Sequence, residues 1–185
     1  MSSAERFNKK AASPDSKPDE IIKHLDITPG MKIVDLGSGG GYYSFRFAEL
    51  VGESGRVYAV DTDKVNLDFI RDAAKEKNQL NINTVYSDGI NVNLPDKEID
   101  LIYSRNAYHH LTDRSVYFNK LRSSLKARGR IALIDYDGRG SRFSFHMLFN
   151  HYTIKQTATD ELSKAGYKLI EDYMIFSNQF FLVFE

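Results

Sequence analysis

Three carboxylates stand at corresponding places in this 185-residue chain, each closing a short apolar run. Asp35 ends one run and opens a glycine turn, Asp35-Leu36-Gly37-Ser38-Gly39-Gly40-Gly41. Asp61 ends the next, Val57-Tyr58-Ala59-Val60-Asp61, and Asp88 follows a third in Ser87-Asp88-Gly89. Glycines let a backbone pass close to a bound object, and a helix starting inside the turn offers unpaired amides. An acid about 20 residues beyond such a turn is placed to accept from both hydroxyls of a ribose. Asp88, one strand further on, is placed to accept from an adenine amino group. The turn reads G-x-G-x-G, with Tyr42 where a dinucleotide turn has glycine or alanine, and no G-x-x-x-x-G-K-[ST] is present. Acids around the turn suit a ligand with an amino group and a sulfonium cation better than one with a pyrophosphate. The plainer alternative is that aspartates here terminate strands and cap helices.

A second group lies further along. Tyr108, His109 and His110 follow the fourth apolar run, and histidine titrates close enough to neutrality to take a proton. His109 reads either as a base or as the packed start of a helix; His110 reads as structural. Phe143 to Tyr152, FSFHMLFNHY, is dense in aromatic residues. It suits a cover over an aromatic, quinone-like or lipid-like substrate, or a helix packed on the body. His146 and His151 are five apart, whereas metal ligands on one helix face prefer four, so no metal site is expected. Arg139 and Arg142 are placed to meet an anionic substrate; Arg128 and Arg130, at the other end of the fifth strand, are expected to face water.

These groups need a scaffold that gathers strand ends. Strand patterns at 31–36, 57–61, 82–86, 99–103 and 131–136 alternate with helical patterns at 42–50, 64–78, 112–125 and 157–165, the third with Val116 inward. A final strand pair, 167–175 and 180–184, surrounds Ser177-Asn178. Alternating strands and helices imply an α/β, doubly wound, Rossmann-like sheet whose short apolar strands are buried on both faces. The closing pair makes the last strand antiparallel. Residues 1–18, charged and with two prolines, read as a flexible tail or lid. Residues 19–185 read as a single domain, with a substrate-covering segment near 137–156.

Composition narrows the classes. Equal numbers of basic and acidic residues, 25 each, give no net charge and no global pull toward nucleic acid. The absence of cysteine excludes disulfides, thiolate metal sites and cysteine nucleophiles. No apolar run approaches the ~20 residues of a membrane span, and the N-terminus is polar. A cytoplasmic protein acting on a small molecule is expected, and its oligomeric state stays open.

Taken in order, VDLGSGGG, AVDTD, SDG, LPDKEIDLIYSRNAYHHL and KARGRIALIDY resemble class I S-adenosylmethionine-dependent methyltransferases over residues 19–184. Within that superfamily, ERFN, LDITPGMKIVDLGSGGGYYS and the closing helix-then-strands are similar to the ubiquinone/menaquinone C-methyltransferase and arsenite-methyltransferase group. The resemblance implies seven strands, S-adenosylmethionine as cofactor, and roles by position. Gly37, Ser38, Gly39 and Gly41 would line the methionine and ribose. Asp35 would reach the methionine amino group, and Asp61 would hold the ribose hydroxyls. Thr62 would lie near the adenine, where the family often has an apolar residue. Asp88 and the backbone of Gly89 would read the adenine edge. Ser104, Arg105 and Asn106 would face the methionine end and the substrate, and Tyr108 and His109 would be the catalytic candidates. Arg128 stands where relatives have the first glycine of a pair. Without cysteines, arsenite methylation is set aside; without an Asn-Pro-Pro-Tyr motif after the fourth strand, so is methylation of base or glutamine nitrogens. Two other readings remain: a methyltransferase-fold binding module without turnover, and a nicotinamide-dependent oxidoreductase, which the turn spacing disfavours.

Overall fold

The computed structural model describes residues 1–138 and 152–185. Arg139, Arg142, His146, His151 and most of the aromatic segment lie outside the described residues. One sheet contains β1 (Lys32–Leu36), β2 (Arg56–Asp61), β3 (Ile82–Tyr86), β4 (Ile99–Arg105), β5 (Leu125–Tyr136), β6 (Leu169–Tyr173) and β7 (Gln179–Phe184). Its spatial order is β3-β2-β1-β4-β5-β7-β6. All neighbours are parallel except β7, which runs antiparallel to both β5 and β6. This is the doubly wound seven-stranded sheet expected from the sequence. Strand order reverses between β1 and β4, which opens a crevice beyond their carboxyl ends where ligands bind in such sheets.

The helices are α1 (Ser3–Ala11), α2 (Pro18–Lys23), α3 (Tyr42–Val51), α4 (Lys64–Glu76), α5 (Arg114–Leu121) and α6 (Lys155–Lys164), with 3-10 turns at Pro14–Ser16 and Tyr108–His110. One core layer joins Ile21 and Leu25 near α2, and Phe47 and Val51 of α3, to Ile33, Leu101, Ile134 and Phe181 of the sheet. The other joins Phe118 and Leu121 of α5 and Leu162 of α6 to Val34, Ile102, Leu133 and Leu182. Side chains alternate between the faces of a strand. Arg105 and Tyr136 therefore fall on the α2–α3 face, and Ser104 and Asp135 on the α5–α6 face.

Three sequence expectations need correction. The helix assigned to 112–125 ends at Leu121, and Val116 lies outward at 57% exposure. Residues 122–124 form a turn, and Leu125 starts β5, which therefore begins six residues before Ile131. The polar stretch from Lys126 to Arg128 is exposed, and pairing with β4 shifts register between Ile99 and Leu101, so no apolar pattern marks that half of the strand. Arg130 does not simply face water: it donates to the Leu25 carbonyl at 2.8 Å and pairs with Asp26 at 3.2 Å.

Candidate active site

The glycine turn joins β1 to α3 and is held mostly by the end of β2. The amides of Gly37 and Ser38 donate to the Val60 carbonyl at 2.8 and 2.9 Å, and the Gly41 amide donates to the Ser38 carbonyl at 2.8 Å. The Gly39 amide donates to Asp61 Oδ2 at 2.7 Å. A pyrophosphate site needs such amides open; here they are committed. The start of α3 is also occupied, because the Tyr42 amide donates to Asn8 Oδ1 at 3.0 Å.

Two glycines are required by the chain itself. Gly37 has φ +79°, and a Cβ there would collide with Ala107. A Cβ on Gly40 would strike the Ala4 carbonyl and the Asn8 side chain. Helix α1 is therefore docked on the turn. Asn8 Nδ2 donates to the Gly40 carbonyl at 2.8 Å, and Phe7 lies against Gly39 while remaining half exposed. A capping box starts this helix: Ser2 Oγ accepts from the Glu5 amide, and Glu5 accepts from the Ser2 amide.

The acids differ in environment. Asp35 is 3% exposed and accepts from the Ser44 hydroxyl at 2.6 Å. Burial pushes its carboxyl up to about 7 against the opposing Ser44 bond, with the nearby Asp61 charge adding to the rise. Asp61 uses Oδ2 for Gly39 and Oδ1 for the Asp63 amide at 2.9 Å, which ties the end of β2 to the glycine turn. A carboxylate oxygen has more than one acceptor site, so Asp61 keeps acceptor capacity for a further donor. Asp88 is exposed; bonds from the amides of Asn91 and Ile90 hold its carboxyl below the usual range. The Gly89 amide turns back to Ser87 Oγ at 3.1 Å, and Thr62 is exposed beside Asp61.

At the end of β4, Ser104 is fully buried beside Leu36 of β1; among the described residues neither its hydroxyl nor that of Ser38, buried in the turn, has a hydrogen-bond partner. Asn106 has φ +54°; its amide donates to the Ile134 carbonyl and its side chain accepts from Gln179. Arg105 donates to the Tyr43 hydroxyl and, at 3.4 Å, to Gln179 Oε1.

Tyr108 is not placed for catalysis. It is fully buried between α5 and α6, its hydroxyl donates to Glu161, and the Arg114 guanidinium lies 4.9 Å from its ring centre. Burial, then the Glu161 carboxylate, raise its phenol well above the usual range. The His109 side chain, 4% exposed, meets Asp135 instead. Its Nδ1 lies 2.8 Å from Asp135 Oδ1, and its amide donates to Asp135 Oδ2 at 3.0 Å. The Asp135 side chain is fully buried, and the Tyr136 amide adds a 2.8 Å bond to Oδ1. An imidazole carrying its proton on Nδ1 donates to this buried carboxylate. The His110 ring lies 4.0 Å from that of His109. Among the described residues no group of three or more His, Cys, Asp or Glu is placed to hold a metal, and no helix is long and apolar enough to cross a membrane.

The profile of a methyltransferase domain matches residues 27–174. The chain belongs to the methyltransferase-domain family. Its fold matches a crystal structure of a SAM-dependent methyltransferase from Aquifex aeolicus, with TM-score 0.84 and 21% identity over 97% of this chain and 96% of that one. By sequence it is similar to the ubiquinone/menaquinone biosynthesis C-methyltransferase UbiE of Shewanella piezotolerans. That match is 28% identical over 116 residues, 62% of this chain and 46% of the relative. It is also similar to the protein-L-isoaspartate O-methyltransferase of Methanococcoides burtonii, at 40% over 65 residues, 35% of this chain and 32% of that one. The chain thus matches about half the length of UbiE or less.

Two parts of this methyltransferase domain escaped sequence reasoning. Asp135 sits inside the apolar run of β5, where a buried acid demands a partner, and that demand was the available signal. Asn8 and Phe7 belong to α1, whose S-x-x-E start, Ser2 to Glu5, is a helix signature.

Proposed function

We propose that this domain binds S-adenosylmethionine at the ends of β1 to β4 and catalyses methyl transfer to a small-molecule acceptor, aromatic or quinone-like. The observation that supports this most is the glycine turn with its amides already committed and acids placed around it. Such a site repels a pyrophosphate and accepts a ligand with cationic and hydroxyl groups. The buried Ser38 and Ser104 hydroxyls, which lack partners, fit the same ligand. Asp61 would take the ribose hydroxyls, Asp88 the adenine amino group, and Asp35 the methionine amino group. When bound, the cofactor supplies a methyl made electrophilic by its sulfonium.

The remaining work falls to the chain. Ser104, Arg105 and Asn106 align the reactants, since in-line displacement depends mainly on near-attack geometry. His109, oriented by Asp135, takes the proton of an acceptor hydroxyl at Nε2. Of the two relatives, one is named a C-methyltransferase of quinone biosynthesis and the other a protein O-methyltransferase; the first agrees with an aromatic acceptor.

Calorimetric titration tests the donor assignment. S-adenosylhomocysteine should bind and NAD should not. Asp61→Ala should weaken that binding by ~1–3 kcal/mol, because ribose hydroxyls lose a charged acceptor. Preferential NAD binding, or unchanged affinity in a folded Asp61→Ala protein, would refute it. Labelled S-adenosylmethionine with a panel of quinols, phenols, amines and thiols then tests turnover; no product from any acceptor would leave a binding module.

A further inference from the structure

A cavity of about 760 Å³ opens beside the donor site, between the N-terminal segment, the ends of β4 and β5, and the β6–β7 hairpin. That volume is ordinary for a small-molecule pocket. Arg105 and Asn106 stand on its wall, whereas none of Gly37, Gly39, Gly41, Asp61 or Asp88 lines it. It is therefore a separate compartment that meets the donor site at Arg105.

Charge on its walls is unbalanced. Lys10, Lys17 and Arg105 face it, with Asp15 as the one acid among its described lining residues. Lys17 is partly spent, donating to the Ile175 carbonyl at 2.7 Å and lying 3.4 Å from Glu20. Lys10 lies 5.5 Å from the centre of the Tyr136 ring. The partners of Arg105 are all neutral: the Tyr43 hydroxyl, the Gln179 side chain, and the rings of Tyr43 and Phe176 at 5.7 and 5.4 Å. Its Nε is buried with no partner. Among the described residues no carboxylate lies within ion-pairing distance of it, and residues 139–151 contain no Asp or Glu. Arg114, comparably buried, shows the usual arrangement: it is held at two points by Glu161, at 2.7 and 3.0 Å. A half-buried guanidinium without a counter-charge is costly unless an anion completes it, and its fork matches a carboxylate.

We propose that this cavity receives the methyl acceptor, that the acceptor is a planar aromatic carboxylate, and that Arg105 holds its carboxylate with Lys10 in support. The rings of Tyr136 and Phe176 supply flat apolar wall for the acceptor ring. This rests on the methyltransferase reading above. The same carboxylate chemistry exists on the methionine end of the donor, so the two sources must be separated. The acceptor is the one assigned, because Gly37, Gly39, Gly41, Asp61 and Asp88 do not line the cavity.

The test is calorimetry on the full chain, with and without saturating S-adenosylhomocysteine. The probes are 1-hydroxy-2-naphthoate and its neutral counterpart 1-naphthol. The naphthoate should bind at least ~10-fold more tightly, as expected for a charge-assisted bond. Arg105→Gln should abolish that preference. Lys10→Gln, at an exposed position, should reduce the preference about threefold, and it keeps the test open if Arg105→Gln does not fold. No preference for the naphthoate in the wild type overturns the proposal. So does an Arg105→Gln protein that loses ~10-fold or more for S-adenosylhomocysteine but keeps its affinity for methylthioadenosine, since the carboxylate would then be the donor's. If S-adenosylhomocysteine fails to bind the wild type, the donor reading fails instead, and the titrations without it still decide whether the cavity prefers the anion.

Discussion

The two halves of the sheet end are built differently. At the ends of β1 to β3, polar groups are largely satisfied before any ligand arrives: Val60, Ser38 and Asp61 take the turn amides, and Asn8 takes the first amide of α3. At the ends of β4 to β7, groups are left in demand or held in readiness. Among the described residues, Ser104 Oγ has no partner and Arg105 no counter-charge, and Asp135 holds the His109 ring. The first half is a mould set by backbone geometry. The second is a set of side chains whose energies are balanced only by another molecule. A fold that keeps one donor while varying its acceptors needs this division, because the mould can stay fixed while the side chains change.

The largest effect should come from the second half. If His109 removes a proton in the rate-determining step, His109→Asn should lower kcat by ~10²-fold or more, with KM for S-adenosylmethionine unchanged. Asp135→Asn should act through the ring and give a smaller loss of kcat. A kcat within threefold of wild type in His109→Asn, measured with a hydroxyl acceptor, would reduce the dyad to packing and erase the contrast between the halves at that point.

The same contrast explains what the sequence disclosed. The donor half was legible because its determinants are local: Gly37 needs φ +79°, and Asp35, Asp61 and Asp88 stand at strand ends countable along the chain. Strand and helix order, and so a mostly parallel sheet with an antiparallel last strand, followed from apolar periods of the same local kind. The acceptor half joins distant segments. Arg105 meets Tyr43, 62 residues away, and Gln179, 74 residues away; His109 meets Asp135, 26 away. No spacing rule encodes such meetings, which is why Tyr108 looked as eligible as His109 although burial against Glu161 removes it. Phe7 and Asn8 were obscured by their polar, charged surroundings, though not by any lack of a helix-start signal.

A middle-sized effect should appear at Asp35. Its carboxyl, pushed up to about 7, keeps a proton in the folded state that the unfolded chain has lost above about pH 4. The folded state binds more protons between those values, so Asp35 removes stability as pH rises through that window. Asp35→Asn should abolish that slope and be more stable than wild type above pH 7, by on the order of 2–4 kcal/mol. A cationic amino group favours the ionised form, so wild-type affinity for S-adenosylhomocysteine should rise between pH 5.5 and 7.5, with proton release visible as a buffer-dependent binding enthalpy. A pH-independent affinity would show that Asp35 does not meet the ligand's charge.

The smallest effect tests whether α1 belongs to the mould. Asn8 bridges the two ends of its contact with the turn: Nδ2 donates to the Gly40 carbonyl and Oδ1 caps the Tyr42 amide. Asn8→Ala removes both bonds and leaves the α3 amide without its cap, which should cost about 1 kcal/mol. If α1 docks only in concert with the donor, that loss should appear as weaker S-adenosylhomocysteine binding, about fivefold, with little change in the melting temperature of the ligand-free protein. If α1 is part of the resting mould, the melting temperature should fall instead and the affinity should hold. Because the Gly40 backbone leaves no room for a Cβ beneath Ala4 and Asn8, the second outcome is expected. Protease cleavage within residues 1–12 should then be equally slow with and without ligand in the wild type, and faster in both states for Asn8→Ala.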